Sequence, residues 1–236
     1  MAPQFVVSSV IRRAAELDPL ATERFLGEQN LSIFGWSGAL TSYVDGLVGS
    51  AGGQVDWPSI ATRFESVSED VGSYASSPAR DVLVTRWASE DVGGAMEWYL
   101  GQNQENTSGQ ETRTGELLAR VNETARGAVV DWIGGQQSQG RDSGEIASAY
   151  LRRITPIATH LGPEVEQAMS FIENESTRYD LISGMMNRNV ARPQANRAGS
   201  DAIFRYTANE LSSLIQQANL TGEHQTHLLQ RIDSGN

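Results

Sequence analysis

An aromatic residue returns along this chain at nearly even intervals: Phe25, Phe64, Trp98, Trp132 and Phe171, separated by 39, 34, 34 and 39 residues. Each follows a small residue three or four positions earlier, and a helix-start or apolar residue six positions earlier. The preceding pairs are Pro19 and Ala21, Pro58 and Ala61, Val92 and Ala95, Arg126 and Ala128, and Val165 and Ala168. A period of this length is the signature of an array, in which one supersecondary unit cannot bury its apolar face alone and stacks on its neighbours. Each unit is about one helix pair long. The five aromatics are the expected anchors of the repeat, supplying bulk between layers where the small residue lets backbones approach.

The spacing within the copies is helical. Val92, Ala95, Met96 and Tyr99, and again Val165, Ala168, Met169 and Ile172, fall at i, i+3, i+4 and i+7, the stripe of a half-buried helix. Start signals agree: Asp18-Pro19 sets a capping carboxylate before a proline at the first helical position, Gly162-Pro163 nearly repeats it, and Asp91 caps the central copy. No sustained alternation bounded by turn residues marks a strand. The sequence therefore predicts an all-α array of antiparallel helical hairpins, α-solenoid-like, over 1–190. A loop and C-terminal capping unit, without the aromatic signature, follow over 191–236. Val6, Val7, Val10, Ile11, Ala14 and Leu17 form the apolar face of the first helix. The stretches 68–78, 101–110 and 134–144 read as polar loops.

The segment Trp87-Ala88-Ser89-Glu90-Asp91-Val92-Gly93-Gly94-Ala95-Met96-Glu97-Trp98 resembles a Trp/Ala-rich helical repeat of uncharacterised bacterial proteins, with Val92 where that pattern carries proline. Ala15, Asp18, Pro19 and Phe25 match it in part, and the resemblance extends over roughly 6–190. The tetratricopeptide repeat shares the 34-residue interval, but its other anchors do not align. What the resemblance implies is a helical array and no particular chemistry.

Composition narrows the function classes. The chain has no cysteine, which removes disulfides, thiolate metal ligands and cysteine nucleophiles. All 18 basic residues are arginine, so a Schiff-base lysine and a phosphate-loop lysine are excluded. A net charge of -11 opposes binding to a polyanion, whose affinity comes largely from neutralised phosphates. An acidic surface favours solubility and a partner with a basic surface. No apolar run is long enough to span a bilayer and no secretory leader is visible, so a cytoplasmic location is expected.

Three stretches carry candidate chemistry. Gly35-Trp36-Ser37-Gly38-Ala39 is a degenerate nucleophile elbow in which Ser37 would serve a hydrolase, if a buried strand preceded it and an acid and a histidine completed the triad. His224 and His227, three apart beside Glu223, could with His160 hold a metal in an all-α enzyme. The carboxylates, Asp56 and Asp142 to Glu145 among them, show no spacing that isolates an acid/base pair. The reading with most support is a non-catalytic interaction or scaffold module without cofactor, binding a protein partner and not nucleic acid. Its contact edge is expected at the polar loops 101–110 and 134–144.

Overall fold

A computed structural model describes residues 4–29, 33–71, 73–102, 109–121, 123–155, 161–189 and 206–234. Among them are thirteen α-helices, three short 3-10 turns and no strand. The chain divides into two compact units, 1–96 and 97–236. The expected boundary at 190/191 falls outside the described residues.

In the first unit, α1 (Gln4–Leu17), α2 (Pro19–Gly27), α3 (Ile33–Ser50), α4 (Trp57–Ser68) and α5 (Ser73–Ala88) are followed by α6 (Val92–Gln102), whose first turns complete it. The most extensive packing joins helices two apart in sequence, α1 along α3 and α3 along α5, while α2 touches α4 less than it touches α1. The α1–α3 contact is close because residue 46 has no side chain; a Cβ there would meet the Arg12 carbonyl and come within 2.6 Å of Ala15 Cβ. Ile11, Ala15, Leu40, Tyr43, Val44, Phe64, Leu83 and Val84 fill the core. Glu23 fastens three helices at once, accepting from Tyr43 Oη at 2.5 Å and from Arg63 Nη1 at 2.7 Å. Burial, reinforced by this carboxylate, raises the Tyr43 phenol far above its ordinary pKa.

The second unit holds α7 (Gln110–Leu118), α8 (Arg126–Gly135), α9 (Ser143–Ile154), α10 (Pro163–Ser170), α11 (Glu175–Asn189), α12 (Ala208–Gln217) and α13 (Gly222–Asp233). The same alternation recurs, with α7 along α9, α8 against α10 and α9 touching α11. Gly115 repeats the role of Gly46: a Cβ there would lie 2.8 Å from Ala149 Cβ and from the Tyr150 backbone nitrogen. Buried Arg178 joins two turns, donating from Nη1 to the Ile172 and Glu173 carbonyls and from Nη2 to Asn219 O at 2.9 Å.

Local signals set most helix starts. Asp18, Asp56, Asp91 and Asp142 accept the backbone N–H three residues on, at 3.0, 3.2, 3.0 and 2.9 Å. Each such cap stabilises its helix by about 1 kcal/mol. Thr207 and Glu210 form a reciprocal capping box.

Several local expectations are corrected. The stretch 68–78 is mostly helical, since α5 begins at Ser73 and encloses Pro78. Burial of Ala75 and Ala79 compensates for the one helical hydrogen bond that proline cannot donate. Gly134 to Gly144 is no open loop: α8 runs to Gly135, a 3-10 turn covers Gln136–Gln139, left-handed Gly140 ends it, and Asp142 starts α9. Of 101–110, residues 103–108 lie outside the described set.

Candidate functional site

The apolar face of α1 is only partly used. Ile11 and Ala15 are buried against α3, and the α3-facing side ends there. Val7, Val10 and Leu17 stand 44, 61 and 70% exposed on an adjoining face, and Leu20 and Phe25 of α2 are 58 and 50% exposed. These five are the only large apolar side chains that are exposed among the described residues. The sequence grouped Val6, Val7, Val10, Ile11, Ala14 and Leu17 into one apolar stripe. Its apolar arc is wider than a single neighbouring helix can cover, so packing takes one side and leaves the other in solvent. The side chain of Val6 lies outside the described set.

The corner between α1 and α2 fixes this surface. Asp18 N–H closes α1 on Ala14 O at 2.8 Å, and the Asp18 carboxylate opens α2 on Ala21 N–H. Proline at 19 keeps Asp18 out of the helical conformation, so the chain turns there. Thr22 and Leu26 are the positions α2 buries, which turns Leu20 and Phe25 outward. Behind the stripe, Arg13 Nη1 and Arg12 Nε reach Glu16 at 2.7 and 3.2 Å and hold its carboxyl below the ordinary carboxylate value.

The five evenly spaced aromatics differ in environment. Phe64 is fully buried, Trp98, Trp132 and Phe171 are half-buried, and Phe25 lies half in solvent. Ser37 is the fifth residue of α3. Its carbonyl accepts from Thr41 Oγ1 at 2.9 Å, as in an ordinary helical turn, and the strand-to-helix elbow that would expose a nucleophile is not present there. The helix begins four residues before Ser37, so that serine does not cap it.

His224 and His227 serve a seam between α11 and α13. His224 Nδ1 meets Glu175 Oε1 at 2.7 Å, and His227 Nδ1 meets Tyr179 Oη at 2.8 Å. The Tyr179 ring lies 4.6 and 6.0 Å from the two imidazoles. One turn further along, Arg231 donates to Ser183 Oγ at 2.8 Å and to Asn187 Oδ1 at 2.6 Å. Residues 175, 179, 183 and 187 recur every four positions and present one face of α11, so the seam runs as a polar ladder. His160 lies outside the described residues, and among those described no cluster of three metal-ligating side chains occurs. The ladder was missed from sequence because its two halves are more than forty residues apart, and neither carries a local signature.

Glu175 Oε1 also accepts the Thr221 N–H at 2.8 Å, and this bond first, then His224, lowers its pKa to about 2. A carboxyl depressed on folding stabilises the fold above its unfolded value near 4.3, and that contribution is lost as pH falls through the folded value. Acidification from about pH 4.5 to pH 2 is therefore expected to loosen α13 from α11. Glu175→Ala should remove this component of the acid transition, and hydrogen exchange across α13 at pH 5 and pH 3 measures it. Equal loss of protection in parent and variant would refute the assignment.

Two clefts with polar linings open among the described residues. One of about 630 Å³ is lined by Asp56, Trp57, Trp87, Glu90 and Asp91. Its tryptophans stack at 6.5 Å, Trp57 Nε1 donates to Glu90 at 2.9 Å, and Asp56 and Asp91 are spent as helix caps. The other, about 540 Å³, lies where α9 and α11 begin. There Asp142 and Asn174 cap their helices, and Arg141 donates to Gln136 Oε1 at 2.6 Å. In both clefts the capping carboxylates and amide, Asp56, Asp91, Asp142 and Asn174, are engaged with helix backbone.

No known protein-family model, no characterised protein and no solved structure matches this chain. Among the described residues, no helix is long and apolar enough to cross a membrane.

Proposed function

We propose that this chain is a non-catalytic helical-repeat interaction module, an α-solenoid-like stack of helical hairpins that binds a protein through the outer face of α1 and α2. The observation that carries the reading is that all five exposed large apolar side chains belong to these two adjoining helices. Adjoining exposed apolar side chains of this kind, with no other large apolar side chain exposed among the described residues, favour an interaction site. The array reading is supported by the alternating contacts within each unit, since helices two apart pack side by side when hairpins stack. The weak likeness to bacterial Trp/Ala-rich repeats agrees with it, and α12 and α13 are then the capping unit. With a net charge of -11, the chain has no measurable affinity for duplex DNA at physiological salt. A heterologous partner would present a basic rim around an apolar centre.

The test asks whether the exposed residues serve the fold. The double variant Val10→Ser/Leu17→Ser, melted at low micromolar concentration, is expected to hold its stability within about 0.5–1 kcal/mol of the parent, as surface substitutions do. Ile11→Ser, one residue away but buried, should lose several times more. A double variant as destabilised as Ile11→Ser would show the face to be structural and remove the basis of the proposal.

A further inference from the structure

We infer that the α1–α2 face binds a second copy of this chain, with the two α1 helices antiparallel across a two-fold axis. The inference deepens the interaction reading above and rests on it by naming the occupant of that surface.

Self-pairing follows from where the apolar residues are. The described residues carry no other exposed large apolar side chain, so among them a copy has no second apolar patch to offer to this one. Head-to-tail association would set the stripe against polar groups, and a contact between copies that covers it must be isologous. The outward residues of α13, such as Glu223, Thr226, His227 and Gln230, illustrate the contrast.

The stripe is also self-complementary in register. Val7, Val10, Ala14 and Leu17 are spaced by three, four and three residues, the seam that two packed helices share. The spacing is symmetric about residue 12. An antiparallel two-fold there places Val7 opposite Leu17 of the second copy and Val10 opposite its Ala14, so each large side chain at one end meets one at the other and the smaller pair fills the centre. Arg12, Arg13 and Glu16 are the charges of α1, and both arginines are already held by Glu16 of their own helix.

The area agrees with a modest dimer. The five exposed side chains present on the order of 500 Å² of apolar surface per chain, near the largest patch of an ordinary monomer, and two copies together bury about 1,000 Å². That is the lower bound for a specific interface, so a dissociation constant in the micromolar range is expected. Because each copy carries a charge of -11, added salt should tighten the dimer by screening the repulsion between bodies.

Sedimentation equilibrium over roughly 1–300 µM spans the expected range. The parent should shift from monomer to dimer. Val10→Glu and Leu17→Glu each place two like charges in the seam and should weaken it at least about tenfold. Thr226→Glu, on α13, should leave it unchanged. The absence of cysteine gives a direct test of register. Mixed Val10→Cys and Ala14→Cys chains should cross-link under oxidation far faster than either variant alone. A parent that stays monomeric throughout, a dimer indifferent to both glutamates, or faster cross-linking of the single variants would each overturn the antiparallel pair. A monomeric parent whose Val10→Ser/Leu17→Ser variant keeps its melting temperature would refute self-pairing alone. A variant melting far below the parent would refute the interaction reading itself.

Discussion

Phe64→Ala is expected to destabilise the 1–96 unit by about 3–5 kcal/mol, while Phe25→Ala, the same change at another of the evenly spaced aromatics, stays within about 1 kcal/mol. Phe64 has no exposed surface and completes the stripe Trp57, Ile60, Ala61, Phe64 and Ser68 that α4 buries. Its removal leaves a cavity that close-packed neighbours cannot fill, and the cost combines lost transfer energy with that void. Phe25 is half in solvent, and α2 buries Thr22 and Leu26 instead. Urea midpoints of the two variants at concentrations where the chain is monomeric give the comparison. Equal losses would mean that the repeat position, and not its packing, decides the contribution. A far-UV spectrum with a strong strand component would contradict the helical fold altogether.

The second large effect is expected at Arg178. Its guanidinium is the shared donor for the carbonyls of Ile172, Glu173 and Asn219, and the residue is buried. Arg178→Met keeps much of the aliphatic stem but leaves three acceptors without their donor. Bonds to a charged donor are individually worth about 1.5–3 kcal/mol and are not additive, so a loss on the order of 3–4 kcal/mol is expected in the 97–236 unit. Arg178→Lys should recover only part, because an ammonium cannot span three carbonyls with a fixed planar fork. Since the acceptors lie in the α10–α11 and α12–α13 turns, hydrogen exchange should rise first at Asn219 to Glu223. A variant as stable as the parent would show that solvent replaces the guanidinium without cost.

How far the fold was legible depended on the range of the forces involved. Asp18-Pro19 and Asp91 act within one helical turn, and each caps the helix the pattern assigned to it, whereas Asp142, expected in a loop, also proves to be a cap. The helix stripes of α6 and α10 also follow from spacing, with Val92, Ala95, Met96, Val165, Ala168 and Met169 all buried. The start of α5 did not follow, because Pro78 carries a local breaking signal that burial of Ala75 and Ala79 outweighs. For the candidate site, the sequence identified α1 as amphipathic but did not show that Val7, Val10 and Leu17 stay exposed. The polar ladder that occupies His224 and His227 had no local mark at all.

By itself the sequence determined the helical class, the starts of α2, α6 and α10, and a chemistry without thiols or lysines. Each of these is fixed by residues within a few positions of one another or by composition alone. Only the tertiary structure decided which side of the apolar arc of α1 meets α3. Periodicity shows that a helix has an apolar face, while the width covered depends on how closely its neighbour approaches. At α3 that distance is set by Gly46 against Arg12 and Ala15, more than thirty residues away in the chain. The same long-range pairing brings Glu175 to His224 and Tyr179 to His227. A hydrogen bond between distant helices leaves no trace in the local spacing of either one.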